Sequence, residues 1–544
     1  MTPNPRASDS TVVDELPPVT AVTATPRRQL LLQGITWSAA FQVFEAVLSF
    51  GAMLVLVRIV PARDYGRAAA VVGILGFVNL FSAHLFLDHA LQLPDDREPD
   101  WDLHWTWGFY IQMLLAIVCH GLAAVCWFVP AYRPIAPLAH VAAFGVMLDW
   151  PNSFGATILR RSLNLRRIRI VAGVGVALRL ATTVALALAG KGAYAIVIGN
   201  NVVTAIPFGV DLLLVRGWRP KPGWWRLPAW HAYAEQRRFG LQRTGSNLIG
   251  GLRVALEAAV LPAPLGFAAL GLLNRAQALY ATSIGRVGGV LSEVAYPFLP
   301  RVAHERDRFA SYATTYLQVL LLISIPGTLF VGQQGPILSR VLYGSKWIAM
   351  DPLIWPGALV GLALAVFSTA SSIVMAAGRL RACLVLDAIA ALAGALALVV
   401  AYLTRQALPY SWALAAGELT AAAIAVWWMS QFLERHWLQR AVLPPIAAAL
   451  GGLAVAQVAA FQTVGARPVL ALAAMTALYF VACLVVLRLC FKAALNHLLD
   501  VVPAGDRIRA VVGLSTDRDT RQAPAIVLPA IHPEVRLKAD TTEY

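Results

Sequence analysis

Stretches of about 20 mostly apolar residues, the length a helix needs to cross a bilayer, recur along this chain from residue 30 to residue 490. They fall at 30–57, 67–89, 107–129, 136–159, 170–190, 192–215, 240–262, 276–299, 312–332, 353–377, 382–403, 409–431, 441–461 and 468–490, which makes fourteen. The eighth is the least apolar, because it holds Arg286 and Glu293. Only 13% of the residues are charged and 58% are hydrophobic, with a mean hydropathy of +0.65. A soluble domain carries about 25% charge, so lipid must solvate the bulk of this chain. The expected fold class is an all-α integral membrane protein with about 14 transmembrane helices.

Charge placement tests that count. The 44 Lys and Arg against 29 Asp and Glu give a formal +15, yet the arginines punctuate apolar segments and form no basic domain. That is a topology signal, and no nucleic-acid partner is expected. With the N-terminus cytoplasmic, the inner connections hold "RRSLNLRRIR" (160–169), the Arg- and Lys-bearing 216–239, then Arg301, Arg306 and Arg308, Arg379 and Arg381, and Arg435 and Arg440. The outer connections are sparser, with Arg133, Lys191, Arg275, Arg405 and Arg467 each alone and Arg340 and Lys346 sharing one. Two connections break the rule: the first outer turn has Arg58, Arg63 and Arg67, and the first inner one (90–106) is acidic. From the third helix onward the alternation holds, which predicts both termini inside.

No connection exceeds about 25 residues, which leaves no extramembrane domain to host chemistry. The Pro-containing first 29 residues and the mixed-charge tail are expected to be mostly disordered, with a short amphipathic piece near 494–502 on the membrane surface. No signal peptide is expected, because the first apolar run is too long for one. Cys119, Cys126, Cys383, Cys483 and Cys490 all lie in apolar segments without metal-site spacing, and read as small packing residues. Trp105, Trp107, Trp127, Trp347 and Trp437 lie near segment ends and read as interface anchors.

Shifting the chain by 205 residues lays "FQVFEAVLSFGAMLVLVRIVPARDYG" (41–66) over "SNLIGGLRVALEAAVLPAPLGFAALG" (246–271). Gln42 then meets Asn247, and Tyr65-Gly66 meets Leu270-Gly271. The expected organisation is a tail (1–29), a six-helix bundle (30–216), a basic linker (217–239), a second six-helix bundle (240–431), a terminal helix pair (432–490) and a second tail (491–544). Repeats of this kind place a transport site between the halves, near the midplane.

Several of these stretches resemble one family, the polysaccharide and lipid-linked oligosaccharide flippases of the multidrug/oligosaccharidyl-lipid/polysaccharide exporter superfamily. "LVRIVPARDYG" is similar to that family's "ARLLSPEDFG", and "LRRSLNLRRIR" to its first-half inner loop. "LEAAVLPAPLGFAALGLLNRAQAL" resembles "DNLLIGRFLGPAALGLYSRAYQL", which puts Glu257 on an acidic position of the family and Asn274-Arg275-Ala276 on its Ser-Arg-Ala. "AYPFLPRV" (295–302) and "LYGSKWIAMDPL" (342–353) resemble "LFPALSRL" and "LLGEKWLPAAPL". One departure is "VLPAP" in place of a glycine-containing "IGRFLG", so the bend after the seventh helix is expected to differ in shape. The resemblance implies a V-shaped pair of bundles and export of a sugar chain on a polyprenyl pyrophosphate, for capsule, exopolysaccharide or lipopolysaccharide biosynthesis. It also implies a bacterial inner membrane, a lipid-linked oligosaccharide as substrate, and polysaccharide polymerase and export machinery as partners.

A mid-membrane charge costs about 2.5–3.5 kcal/mol on insertion scales, so it should face protein or a wet cavity. Arg253 and Glu257 lie one turn apart on one helix face, either as a mutual pair or lining the central cavity. In the second reading Arg253 contacts substrate phosphate, to which a guanidinium donates two parallel bonds. Arg179 and Arg286 are the further cavity cations; Glu45 and Asp149 join Glu257 as ion-coupling or charge-pair candidates. Asp149 stands beside Pro151, which should kink its helix. Asp387 and Glu418 read as structural pairing partners.

No G-x-S-x-G elbow, H-E-x-x-H or Walker lysine motif is present, and no enzymatic role, metal or cofactor is expected. Without an ATP site, transport would run on an ion, the membrane potential or substrate supply. The competing readings are a small-molecule cation antiporter, which would want a carboxylate-dominated cavity, and a membrane-embedded polysaccharide polymerase or ligase, which would want a large outer loop.

Overall fold

A computed structural model describes residues 27–501 of this chain, apart from 83, 95–96, 163, 227–229, 287–298 and 463–467. Side chains are described within those bounds except at 27–40, 42–43, 84–85, 230, 232, 242–254, 459–462 and 500–501. The expectations for residues 1–26 and 502–544 of the two tails, for Glu293, for the Gln42–Asn247 match and for the first half of "AYPFLPRV" lie outside the described residues.

The described residues are helical with no strand, as the long apolar runs require. The first half comprises α1 (Arg27–Ile59), α2 (Ala62–Asn79), α3 (His84–Gln92), α4 (Trp101–Phe128), α5 (Ala136–Arg161), α6 (Leu165–Leu188) and α7 (Ala193–Val215). The second half comprises α8 (Ala234–Val260), α9 (Pro262–Tyr280), α10 (Arg306–Leu342), α11 (Asp351–Ala376), α12 (Leu380–Thr404) and α13 (Ala407–Met429). A pair, α14 (Leu443–Gln462) and α15 (Pro468–Cys490), packs on α10, and α16 (Lys492–Val501) follows.

Among the described residues nine helices are long and apolar enough to cross a membrane, which does not confirm the expected fourteen. Five of the expected runs are not among the nine. The run 67–89 is broken between α2 and α3, where Ser82 donates to Gln112 Oε1 (3.0 Å) and Gln112 donates to the Val146 carbonyl (2.7 Å). The runs 30–57, 136–159 and 240–262 do lie in helices (α1, α5 and α8); the side chains of α1 and α8 are described only in part, and α5 carries the polar stretch Asp149-Trp150-Pro151-Asn152-Ser153 inside its run. The run 276–299 passes into undescribed residues. Its helix starts earlier, in α9, after Gly266 takes φ +78, a left-handed conformation that suits glycine. The bend that "VLPAP" put in question therefore falls at Gly266.

The most enclosed span is α10, 37 residues long, with Pro326 and Pro336 inside it. The piece near 494–502, expected on the membrane surface, packs against α10. Ala494, Leu495 and Leu499 of α16 are buried, and His497 Nδ1 lies 3.0 Å from Gln318 Oε1 of α10.

Both exceptions to the charge alternation have partners in the fold. The acidic first connection meets the basic linker: Asp102 pairs with Lys221 (3.0 Å) and Arg97 with Glu235 (3.5 Å). Arg161 donates to the carbonyls of Leu93, Pro94 (2.6 Å) and Arg97 (3.1 Å). Arg58 and Arg67 of the first outer turn are likewise engaged, Arg67 with Asp64 (3.2 Å) and Arg58 across the two halves.

Candidate functional site

The two halves meet where α1 turns into α2 and α8 into α9. Here α2 crosses α9 closely. A Cβ on Gly66 would overlap the Phe267 carbonyl, and a Cβ on Gly271 would overlap the Ala62 carbonyl. Both pairings obey the 205-residue shift, since 62 matches 267 and 66 matches 271. The two contacts are thus related to one another by the same shift as the repeat read from sequence.

Helix ends flank this crossing and cap one another. The last carbonyls of a helix have no partner within it and carry partial negative charge, so cations settle there. Arg58, ending α1, donates to the Val341 (2.9 Å) and Leu342 (3.4 Å) carbonyls that end α10. In return Lys346 donates to the Arg58 (2.9 Å) and Val60 (3.1 Å) carbonyls, and Trp347 to that of Val57 (2.9 Å). Tyr65 meets Trp347 edge-on at 5.7 Å, and Arg275 lies 4.5 Å over the Tyr65 ring, braced by Asn274 Oδ1 (2.7 Å). Tyr132 donates to the Ala259 carbonyl. Val57, Val60 and Trp347 are at most 1% exposed, so this end is sealed.

Among the described residues the embedded charges are not gathered into one cluster. Glu257 of α8 accepts from the Tyr410 hydroxyl of α13 at 2.7 Å, beside a small cavity also lined by Gly394, Leu398 and Leu414. Glu418, two turns beyond Tyr410 on the same face of α13, is fully buried. The Arg253 side chain lies outside the described residues. Arg179 of α6 donates to Asn200 Oδ1 of α7 (3.2 Å). Glu45 is half-buried on α1, and Arg286 is exposed just after the π-turn Ala281–Gly285 that extends α9.

Asp149 is occupied by its own helix. It accepts from Asn152 (3.2 Å) and Ser153 (3.0 Å) around Pro151, and Asn152 Oδ1 in turn accepts from the Phe208 N–H of α7 (3.0 Å). Two proline-containing helices are thereby stitched together, and α5 runs through Pro151 without interruption. Asp211, passed over in sequence, pairs with Arg167 of the arginine cluster at 2.8 Å.

Three tryptophans depart from the anchor reading. Trp347 belongs to the seal. Trp105 and Trp107 are buried, 6% and 9% exposed, in clusters with Trp150, Phe154, Trp218 and Tyr233. Aromatic rings pack edge-to-face or offset and add about 0.5–1.5 kcal/mol per pair, and here they tie the linker to α4 and α5. Trp127 is 44% exposed, as an anchor should be. Of the cysteines, Cys119, Cys383 and Cys483 are buried, while Cys490 is exposed.

The fold is similar to that of a solved lipid II flippase, MurJ, in an inward closed conformation. The TM-score is 0.67 at 11% identity, over 84% of this chain and 99% of that one. An inward-facing multidrug resistance MATE transporter of the MOP superfamily matches with a TM-score of 0.51 at 15% identity, over 71% and 94%. In sequence, the lipopolysaccharide biosynthesis protein WzxC of Escherichia coli (strain K12) is 20% identical over 356 residues, 65% of this chain and 71% of that protein. The teichuronic acid biosynthesis protein TuaB of Bacillus subtilis (strain 168) is 21% identical over 196 residues, 36% of this chain and 41% of that protein. The chain thus spans less than half of TuaB. It is a multi-pass membrane protein, and residues 55–352, which carry the crossing and both sets of capped helix ends, match a family described as polysaccharide biosynthesis proteins: the chain belongs to that family.

Proposed function

We propose that this protein is a flippase that moves a polyprenyl-pyrophosphate-linked oligosaccharide across a bacterial inner membrane by alternating access. The observation that carries the reading is the seal between the two copies of the repeat. It joins the halves through helix-end caps and one glycine crossing, contacts that can part as a unit. With the arginine-rich connections cytoplasmic, the sealed end faces outward and the substrate would load from inside. Family membership supports a saccharide as cargo, and the likeness to a lipid II flippase supports a lipid-linked one. The runner-up, a cation antiporter, is supported only by the weaker likeness to the multidrug transporter.

In this reading Arg179, Arg253 and Arg286 supply cationic contacts for pyrophosphate along the path. Glu257 and Glu45 are the candidates for ion coupling, and Asp149 is a structural staple. The test is deletion of the gene followed by mass spectrometry of polyprenyl-linked lipids. The expected result is one lipid-linked saccharide accumulating with its headgroup shielded from external reagents. Normal surface polysaccharide with no accumulated precursor would reject the proposal.

A further inference from the structure

A groove of about 490 Å³ runs along the outer side of the first half, between α1 and α6. Its walls are Phe41 and Phe44 of α1 and Ile170, Gly173, Val174 and Ala177 of α6, and Arg169 stands at one end. On a helix, residues spaced by three and four share a face, so the α6 lining forms one stripe. Continued back one turn, that stripe reaches Arg166, which is exposed. It therefore changes from two guanidinium groups to an apolar track about 12 Å long within one turn. Arg179 lies two residues past Ala177, about 200° around the helix, and bonds toward α7, so the groove is separate from the proposed cargo contacts.

We propose that this groove is a binding site for one anionic phospholipid of the cytoplasmic leaflet, with its phosphate on Arg166 and Arg169 and an acyl chain along Gly173. The order of charge and apolar surface matches such an amphiphile: head at the basic connection, chain toward the bilayer centre. Arg169 lies 5.4 Å over the Phe41 ring, a cation–π contact that holds the guanidinium at the head of the track. Phosphate recognition uses the N–H edge of that group, where two parallel bonds form. Gly173 sets the depth: its Cβ position is at ordinary contact, 3.5 Å, with Phe41, so a larger side chain there would fill the track.

Native mass spectrometry of the full chain, released from micelles holding equimolar phosphatidylglycerol and phosphatidylcholine, tests the site. The wild type should retain one phosphatidylglycerol with a preference of about tenfold. Arg166→Gln with Arg169→Gln should abolish the preference, and Gly173→Leu should shed both lipids, whereas Gly173→Ala should behave as wild type. Since Gly173→Leu could fold poorly, the arginine pair is also read in a nanodisc, by crosslinking from a photoreactive group at Val174. No preference in the wild type, or the same preference and crosslink in the arginine variant, overturns the proposal. So does displacement of phosphatidylglycerol by equimolar polyprenyl phosphate, which would assign the groove to the cargo's own lipid.

Discussion

Gly66 and Gly271 stand 205 residues apart in sequence and face each other in the fold, each leaving room for a carbonyl of the other's helix. The carbonyls concerned belong to Phe267 and Ala62, themselves 205 apart. A side chain at either glycine must force the two helices apart, because backbone cannot yield as a flexible side chain does. Gly66→Leu and Gly271→Leu should each unseal this end. Val57→Cys, buried in the sealed state, should resist a membrane-impermeant thiol reagent in intact cells and become labelled when either substitution is added. Equal protection in all three backgrounds would mean that the crossing does not hold the seal.

The caps predict a graded loss. Arg58→Leu leaves the Val341 and Leu342 carbonyls without their donor; bonds from charged donors contribute about 1.5–3 kcal/mol. The same Val57→Cys probe should label at an intermediate rate, and Arg58→Lys should recover part of the protection. A rate equal to wild type in Arg58→Leu would remove the caps from the account.

The helix-rich class was legible in the sequence, because long apolar runs are a one-dimensional signal, and so was the 205-residue shift that the contacts at the crossing obey, but not the crossing itself. Nor was the partner of each embedded charge. Tyr410 reaches Glu257 from 153 residues away, and nothing in "LPYSW" marks it. Trp347 reads like any tryptophan near a segment end until α1 is seen to present the Val57 carbonyl to its indole. The acidic 90–106 connection looked like a broken topology rule, yet two of its charges are met from elsewhere, Asp102 by Lys221 and Arg97 by Glu235. Local spacing cannot report partners brought together by the tertiary fold.

Glu257 and Tyr410 give a separable test of role against stability. Tyr410→Phe removes one hydrogen bond to a carboxylate, costing about 1.5–3 kcal/mol, and should lower the thermal midpoint in detergent. If Arg253 and Glu257 are merely mutual partners, Arg253→Leu with Glu257→Leu should restore expression and transport together. We expect instead a folded but inactive double variant, with partial activity in Arg253→Lys, because an ammonium keeps the charge and loses the bidentate fork. Wild-type transport in the double variant would sink the phosphate role.

Asp149 should separate from the other charges. Asp149→Asn keeps one acceptor oxygen for Asn152, its new amide can donate to the Ser153 hydroxyl instead, and it should transport normally. Asp149→Leu should lose stability by about 1–3 kcal/mol, as expected when buried donors go unmet. Loss of transport in a fully stable Asp149→Asn would assign the carboxylate to ion coupling.

The topology rests on the arginine connections. Cysteines placed in 160–169 and 216–239 should be unreactive toward an impermeant thiol reagent in intact cells and reactive after permeabilisation. Labelling of 160–169 from outside would invert the molecule, and with it the side from which cargo loads.

The claim that the two halves part to pass a lipid-linked saccharide is tested most directly in proteoliposomes. Purified protein is reconstituted with a polyprenyl-pyrophosphate oligosaccharide bearing a fluorescent sugar, and an impermeant quencher reports the fraction in the outer leaflet over time. The account predicts that the wild type makes the protected half accessible, and that a bismaleimide bridge between Arg58→Cys and Val341→Cys, across the seal, stops this while each single variant under the same reagent continues. Unchanged flipping in the bridged protein, or none in the wild type beyond empty liposomes, would contradict it.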